Sequence, residues 1–376
     1  MSKKVVVTEK GSPTLDLVWL LLRHGAVVNR RDKDKQTPLH LAIGSNWLQL
    51  ARVLLDKGAD AKAEFDNGTT PLHLLSASRI HDSDALDLAL LLLERGAEAN
   101  SQDKNKKTPL HLAMEGDWFQ LARILLDHGA NANTEDIHGT TPLHLLSASR
   151  IHDCDALDLI SPLLEHGAVV NIEDKNKQTP LLLAIGGDWF ELARILLEHG
   201  ADTDVVNNKG VAPLHLLSIS QRHGEGDALD LLSLLLGHGA VVNKRDKFNQ
   251  TPLLLAMGRG WFKLARVLLE HGADANAEDN NSKTPLHMLS EFQIDDESES
   301  PSQLPPYRGA DSNLQDADPN PPFHSQHDFG PVQIAQALLD HGANVNAGNN
   351  VDETSLYGEG KYCSILDAVF SVMRGV

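Results

Sequence analysis

Apolar residues recur along this chain in blocks that return about every 33 residues. A block opens with a short apolar run after a proline, as at 38–42, and continues with a longer run such as 48–55. The longer runs place leucine and alanine at helical spacing, which predicts amphipathic helices. Each longer run stops at a glycine-alanine pair such as Gly58-Ala59, and glycine suits the position after a last helical turn. The pattern therefore predicts a series of helix pairs.

The phrase Thr-Pro-Leu-His opens these blocks, which we call repeats and number by their first residue. Repeats begin at 37, 70, 108, 141, 179, 212, 251 and 284. Threonine can cap a helix and proline is accepted in its first turn, so the phrase predicts where first helices begin. Leu182 and Leu254 replace the histidine of the phrase. Ala212 replaces its threonine, so we expect a weaker helix cap at the start of repeat 212. Spacings alternate between 33 and 38 or 39 because repeats 70, 141 and 212 carry inserts before their second helix.

Helix pairs whose apolar faces no single repeat can bury must stack on their neighbours. The phrase and the endings of the Gly-Ala-x-x-Asn type resemble the ankyrin repeat. Endings with asparagine are at Asn29, Asn100, Asn133, Asn171, Asn243, Asn276 and Asn346, whereas Lys62 and Asp204 depart. The resemblance implies an all-α repeat solenoid, ankyrin-like, of stacked helix-turn-helix repeats with projecting β-hairpin fingers. It also implies a concave face of fingers and first helices that binds other proteins.

The predicted organisation has four parts. An N-terminal tail at 1–13 precedes a repeat array at 14–290 that starts with a half-repeat at 14–36. Residues 291–330 are acidic and rich in proline, which predicts a disordered insert. Residues 331–376 are expected to complete the last full repeat and form a degenerate cap. The half-repeat leaves two explanations open, since either the tail covers an exposed face or upstream repeats are missing.

Charge and cysteine content narrow the range of partners. The net charge is −19, from 33 basic and 52 acidic residues, which disfavours nucleic acid and anionic membranes. Cys154 and Cys363 are far apart in sequence and show no zinc or disulfide spacing. The longest apolar run is too short to span a bilayer. We expect an intracellular monomer, cytoplasmic or alternatively nuclear, that binds protein and needs no cofactor or metal.

The predicted fingers carry alternating charge, which suggests either a solubilising surface or a charge ruler for a protein partner. Fingers before repeats 37, 108 and 251 are basic, whereas those before repeats 70 and 141 are acidic. The candidate partner-binding residues are Arg30, Arg31, Lys33, Lys35, Phe65, Asp66, Lys104, Lys106, Lys107, Glu135, Asp136, Lys175, Lys177, Lys244, Arg245, Lys247 and Phe248.

Four tryptophans, Trp47, Trp118, Trp189 and Trp261, open the second helices of the shorter repeats. One hypothesis is that each packs under the insert of an adjacent repeat, which hides a large apolar area. The alternative is an exposed aromatic row that anchors a partner. Packing is the favoured interpretation.

A His-Asp pair occurs in two inserts, at His81-Asp82 and at His152-Asp153, and mimics metal-dependent hydrolases. We expect these two inserts to lie about 20 Å apart, too far for one metal site. The favoured function is therefore a non-enzymatic scaffold or adaptor. Alternatives are the sensor region of a larger signalling or ubiquitin-ligase protein and, least favoured, a hydrolase.

Overall fold

The computed structural model describes residues 13–65, 67–220, 225–290, 330–350 and 354. Most of the predicted tail, the acidic insert up to residue 329, nearly all of the predicted cap and Asp66 lie outside the described residues. The chain divides into two compact halves, Met1–Val169 and Val170–Val376.

The N-terminal half is built from helix pairs that stack in two rows. Its helices are α1 (Pro13–Arg23), α2 (Pro38–Gly44), α3 (Leu48–Asp56), α4 (Pro71–Ser76), α5 (Ser83–Glu94), α6 (Pro109–Glu115), α7 (Phe119–Asp127), α8 (Pro142–Ser147), α9 (Cys154–Asp158) and α10 (Ile160–Glu165). First helices α2, α4, α6 and α8 pack in that order, and second helices α3, α5, α7 and α9–α10 form the other row. Pro162 has no N–H to donate to Asp158, which explains the break between α9 and α10.

The C-terminal half repeats this arrangement. Its helices are α11 (Pro180–Gly186), α12 (Phe190–Glu198), α13 (Pro213–Ile219), α14 (Glu225–Gly237), α15 (Pro252–Arg259), α16 (Phe262–Glu270), α17 (Pro285–Ser290) and α18 (Pro331–Asp340). The first helices α11, α13, α15 and α17 form one row, and α12, α14, α16 and α18 form the other. Because α17 packs against α18, repeat 284 is a complete helix pair although residues 291–329 separate its helices in sequence.

In repeats 37, 70, 108 and 212 the histidine of the opening phrase connects the repeat to the next one. In repeat 108 the Thr108 N–H donates to His111 Nδ1 at 3.2 Å, and the threonine hydroxyl lies 2.8 Å from the same nitrogen. His111 Nε2 lies 3.1 Å from the carbonyl oxygen of Thr140, the residue before repeat 141. Nδ1 therefore accepts and Nε2 donates, as in a neutral imidazole. His73 and His215 make the corresponding contacts, and His40 reaches a carbonyl of the finger before repeat 70.

Ala212 shows what the phrase loses without its threonine. Helix α13 still begins at Pro213, and the Ala212 N–H still donates to His215 Nδ1 at 3.1 Å. Alanine offers no hydroxyl to the helix, so the expected weaker cap amounts to one missing side-chain partner and the start of the helix is unchanged. Leucine in place of the histidine leaves the threonine cap intact, because Thr179 Oγ1 accepts from the Leu182 N–H at 3.4 Å, as Thr70 Oγ1 accepts from the His73 N–H.

Protonation of these histidines is expected to destabilise the fold below neutral pH. Burial lowers the pKa of His40, His73, His111 and His215 from the usual 6.5, and the carbonyl hydrogen bond that each ring makes opposes the shift only in part. A histidine whose pKa is lower in the folded than in the unfolded state stabilises the native state at pH values above the pKa of the unfolded state. That contribution is lost as pH falls from about 6.5 toward the folded pKa.

The measurement is the free energy of unfolding by urea between pH 7.5 and 5. We expect it to fall with pH, and a His73→Leu/His215→Leu double variant should show a shallower fall because two of the titrating groups are gone. Leu182 and Leu254 show that the fold accommodates leucine at this position. A pH dependence that is the same in both proteins would contradict the assignment.

The asparagines of the repeat endings form a second tie between neighbours. Asn100 Nδ2 donates to the Gly129 carbonyl at 2.8 Å, and its Oδ1 accepts from the Asn131 N–H at 2.7 Å. Asn276 makes the same pair of bonds with Gly342 and Asn344, so the ending of repeat 284 is fixed in the same way as the others. Within each half, this ladder holds successive repeats in register.

The two departures from asparagine keep contacts to the next repeat by other means. Asp204 Oδ1 accepts from the Val241 N–H at 2.9 Å and lies 3.8 Å from Lys244 Nζ. Lys62 Nζ instead pairs with Glu98 at 3.1 Å. Both pairs are partly or largely exposed, so each ion pair contributes at most about 1 kcal/mol.

Candidate protein-binding surface

Six of the eight fingers that precede the repeats are turns organised around one aspartate. In the finger at 101–107, Asp103 Oδ1 accepts from the N–H groups of Asn105 and Lys107, each at 2.8 Å. The same two bonds are made by Asp32, Asp136, Asp174, Asp246 and Asp279. These carboxylates hold the turn, and those of Asp136, Asp246 and Asp279 are also buried.

Two predicted binding residues are therefore placed differently by the structure. Asp136 is only 7% exposed, because its carboxylate is turned inward to the N–H groups of His138 and Thr140. Phe65 stands where most other fingers have the aspartate, and it is half-buried with its ring edge-on to His40 at 5.0 Å. Both residues support the finger, which corrects their assignment to a surface tip.

Most of the predicted basic residues do lie at the surface. The exposed candidates are Arg30, Arg31, Lys33, Lys35, Lys104, Lys106, Glu135, Lys175, Lys177, Arg245, Lys247 and Phe248. Lys107 and Lys244 are half-buried, and they pair with Glu115 at 2.5 Å and with Asp204, respectively. Asp66 lies outside the described residues.

Backbone hydrogen bonds connect one finger to the next. The Lys104 N–H donates to the Asn67 carbonyl at 2.8 Å, and the Ile137 N–H donates to the Asn105 carbonyl at 3.0 Å. The approach is so close that a Cβ added at Gly68, whose φ is +77°, would lie 2.9 Å from the carbonyl oxygen of residue 102. The spacing between exposed charges on neighbouring fingers is therefore fixed by the backbone.

The structure buries three of the four aligned tryptophans and exposes the fourth. Trp118, Trp189 and Trp261 are 0%, 3% and 7% exposed, whereas Trp47 is 58% exposed. Trp118 is covered by His81 from the insert of repeat 70, with ring centroids 4.8 Å apart and planes inclined by 6°. An exposed aromatic row is therefore not formed, and at Trp118 the histidine of the insert supplies part of the cover.

The His-Asp inserts have structural contacts that account for both residues. His81 Nε2 lies 3.2 Å from the Ser78 carbonyl, and His152 Nε2 lies 3.0 Å from the Ser149 carbonyl. Asp82 and Asp153 cap the following helices by accepting from the N–H groups of Ala85 and Ala156. Within the described ranges, no group of three His, Cys, Asp or Glu side chains is placed to hold a metal ion. Among the helices that the structure describes, none is long and apolar enough to cross a membrane.

A set of exposed apolar side chains near the N-terminal end was missed by the sequence reasoning. Its members are Leu17, Trp19, Leu20, Leu21, Val27, Leu41 and Trp47, each at least 46% exposed. The signal was present in the half-repeat at 14–36, whose second helix has no first helix beside it in the described residues. Helical periodicity marks such residues as apolar, but their exposure depends on what packs against them.

Stacked helix pairs, turn-built fingers and an asparagine ladder define a repeat protein whose exposed surface suits binding. The family described as "Ankyrin repeats (3 copies)" matches residues 6–103, 74–174, 146–232 and 217–296. These matches cover well over half of the chain, and the protein belongs to the ankyrin repeat family.

Several curated relatives are similar over two or three repeats. Mouse protein phosphatase 1 regulatory subunit 27 is 39% identical over 64 residues, which is 17% of this chain and 42% of the mouse protein. The probable 26S proteasome regulatory subunit p28 of Saccharomyces cerevisiae is 37% identical over 79 residues, 21% of this chain and 32% of the yeast protein. NF-kappa-B inhibitor alpha of Sus scrofa is 35% identical over 69 residues, 18% of this chain and 22% of the pig protein. The matches thus span less than half of each relative.

Proposed function

We propose that this protein is a non-catalytic scaffold or adaptor that binds a protein partner through its finger tips and the adjoining ends of its first helices. The observation that carries the proposal is that the acidic and basic side chains of a finger have different roles. The aspartate bonds the turn, while lysines such as Lys104 and Lys106 remain exposed. The finger at 101–107 has three lysines against one half-buried aspartate, so it presents net positive charge to a partner.

The family and the relatives support this proposal at a coarser level. Ankyrin repeats generally mediate protein–protein interaction, and two of the relatives are named as regulatory subunits and one as an inhibitor. Exposed charges at an interface mainly set the association rate and the register of binding. The expected partner surface is therefore acidic where it meets the fingers at 30–36 and 101–107.

The test is to reverse two finger charges, Lys104→Glu and Lys106→Glu, in the full chain. Wild-type and variant proteins are immobilised and used to capture proteins from extracts of the native cell, and captured partners are then purified for kinetic measurement. We expect the association rate of the double variant to fall about tenfold at low salt, with a much smaller change in the dissociation rate. The difference should shrink as salt is raised, because exposed charges are screened.

Arg123→Glu is the matched control, since Arg123 is an exposed basic residue on the second helix α7. It makes the same change of charge away from the fingers, so we expect it to leave the association rate nearly unchanged. Equal loss in the control and in the finger variant would contradict a role for the fingers. So would an association rate in the finger variant that matches wild type at every salt concentration.

A further inference from the structure

The tips of the fingers in the C-terminal half carry no acidic residue. We define the tip of a finger as the three residues after the one whose side chain bonds the turn, which in this half is Asp174, Asn207, Asp246 or Asp279. The four tips contain four lysines and lie at 175–177, 208–210, 247–249 and 280–282. At the corresponding positions of the N-terminal half, two tips contain an aspartate, Asp34 and Asp66.

Backbone hydrogen bonds join these four tips into one surface. The Asn208 N–H donates to the Asn176 carbonyl at 3.0 Å, and the Lys247 N–H donates to the Lys209 carbonyl at 3.1 Å. The Asn280 N–H donates to the Phe248 carbonyl at 3.3 Å. We call the four tips together with Arg245 the C-terminal tip row, and its exposed members include Lys175, Lys177, Lys209, Arg245, Lys247 and Phe248.

Phe248 is the one large apolar residue of the C-terminal tip row. Its residue surface is 41% exposed. The Phe248 N–H donates to Asp246 Oδ1 at 2.8 Å, and the Phe248 carbonyl accepts from Asn280, so the backbone is held on both sides of the exposed side chain. An aromatic side chain on a fixed backbone loses little conformational freedom when a partner covers it. Phe248 is therefore suited to anchor an apolar residue of a partner.

Arg245 places a fixed positive charge in the same finger. Its Nη1 donates to the Glu278 carbonyl at 2.9 Å and to the Asn249 carbonyl at 3.4 Å. A guanidinium has five N–H donors, so others remain for a carboxylate of a partner. The two carbonyls hold the exposed guanidinium before any partner arrives, which reduces the entropy that binding costs.

The charges at the two ends of the row favour a short acidic segment of a protein over a nucleic acid. Glu173 precedes the first turn residue and Glu278 precedes the last, and both are exposed. A nucleic acid strand carries a phosphate about every 3.4 Å, so a strand longer than the row places phosphates beside these glutamates. The net charge of −19 also disfavours a long polyanion.

Two other occupants fit the row less well. A second copy of this chain joined tip to tip would bring lysines against lysines, which costs energy. The acidic residues at 291–329 follow α17, which starts beside its finger at Pro285 and ends at Ser290, so that segment begins at the end of the helix away from the tip.

We propose that the C-terminal tip row binds an acidic segment of another protein that carries an apolar residue between its acids. The apolar residue packs on the Phe248 ring, and the acids meet Arg245 and Lys247. The inference rests on the proposed role of finger tips in protein binding, but it concerns other fingers and does not depend on Lys104 or Lys106.

The probes are two fluorescently labelled peptides, Glu-Glu-Leu-Glu-Glu and Glu-Glu-Ser-Glu-Glu, which we call the leucine peptide and the serine peptide. Their affinities for the full chain are measured by fluorescence anisotropy at low salt. We expect the leucine peptide to bind about tenfold more tightly, because its leucine loses contact with water on Phe248. The affinity of both peptides should fall as salt rises.

Replacing Phe248 by alanine should weaken the leucine peptide about tenfold and leave the serine peptide nearly unchanged, so that the preference disappears. Phe248→Leu should restore most of it. Both variants keep the backbone hydrogen bonds of residue 248, and we expect them to keep the circular dichroism spectrum of the wild type. Val241→Ala is the matched control, because Val241 is 49% exposed in the same half but lies outside the tips. It should leave both affinities unchanged.

Charge substitutions separate this surface from the fingers of the N-terminal half. Lys247→Glu should weaken both peptides by a similar factor, whereas Lys104→Glu/Lys106→Glu should change neither affinity at moderate salt. If the leucine peptide does not bind while the Lys104→Glu/Lys106→Glu variant still slows association of a captured partner, this inference alone fails and the proposed function stands.

Four results would overturn the proposal. The first two are no binding of the leucine peptide and equal binding of the two peptides. The third is tighter binding of a single-stranded oligothymidine with the same net charge, which would make nucleic acid the occupant. The fourth is tighter peptide binding by an Asp295→Asn/Asp296→Asn/Glu297→Gln variant, which would make the acidic segment of this chain the occupant.

Discussion

Replacing Trp118 by alanine is expected to lower the free energy of unfolding by about 3–5 kcal/mol. The indole is fully buried at the start of α7 and stacked under His81, so truncation removes a large apolar area and leaves a cavity. It also removes an aromatic contact between repeats 70 and 108. The measurement is urea unfolding at pH 7.5, followed by circular dichroism at 222 nm.

Trp47→Ala is the matched control, since Trp47 precedes α3 as Trp118 precedes α7. Because the Trp47 side chain is 58% exposed, we expect its replacement to lower the free energy of unfolding by less than about 1 kcal/mol. Trp118→Phe should also be milder than Trp118→Ala, because phenylalanine keeps most of the ring. It also removes the indole Nε1, a buried donor that has no hydrogen-bond partner within the described residues. Similar losses at Trp47 and Trp118 would contradict the packing account.

The tryptophans show how far sequence reasoning reaches in this chain. Periodicity and the opening phrase place each of the four aligned tryptophans at the same point of its repeat, and that placement is correct. Exposure differs because Trp118 has an insert with a histidine before it, whereas Trp47 follows the half-repeat. A local pattern therefore predicts the element, but the neighbour decides whether its apolar side chain is core or surface.

The fingers show a different limit. The charge of the fingers can be counted from the sequence, but such a count treats Asp103 and Asp136 alike as free carboxylates. Only the structure shows that each accepts two backbone N–H groups and that Asp136 is buried whereas Asp103 is half-buried. The sequence therefore gives the net charge of a finger but not which of its charged side chains reach the surface.

The histidine of the opening phrase also has a role that depends on the neighbouring repeat, and its replacement is expected to lower the free energy of unfolding. His111→Leu is expected to lower the free energy of unfolding by about 2–6 kcal/mol, because the Thr108 N–H and the Thr140 carbonyl each lose a partner at about 1–3 kcal/mol. The measurement is urea unfolding at pH 7.5, where the wild-type histidine is neutral. Its cost should shrink at pH 5, since the wild type itself is then penalised by protonation.

The reverse substitution, Leu182→His, provides the control that repeat 179 offers. Leu182 is 1% exposed in the equivalent position, and the phrase around it retains Thr179 and Pro180. A histidine there would give the Thr179 N–H an acceptor and could donate to the Val211 carbonyl, so we expect a gain of about 1 kcal/mol at pH 7.5. The gain should disappear at pH 5. A loss of stability in both substitutions at neutral pH would show that shape alone, and not the cross-repeat hydrogen bond, decides which residue fits this position.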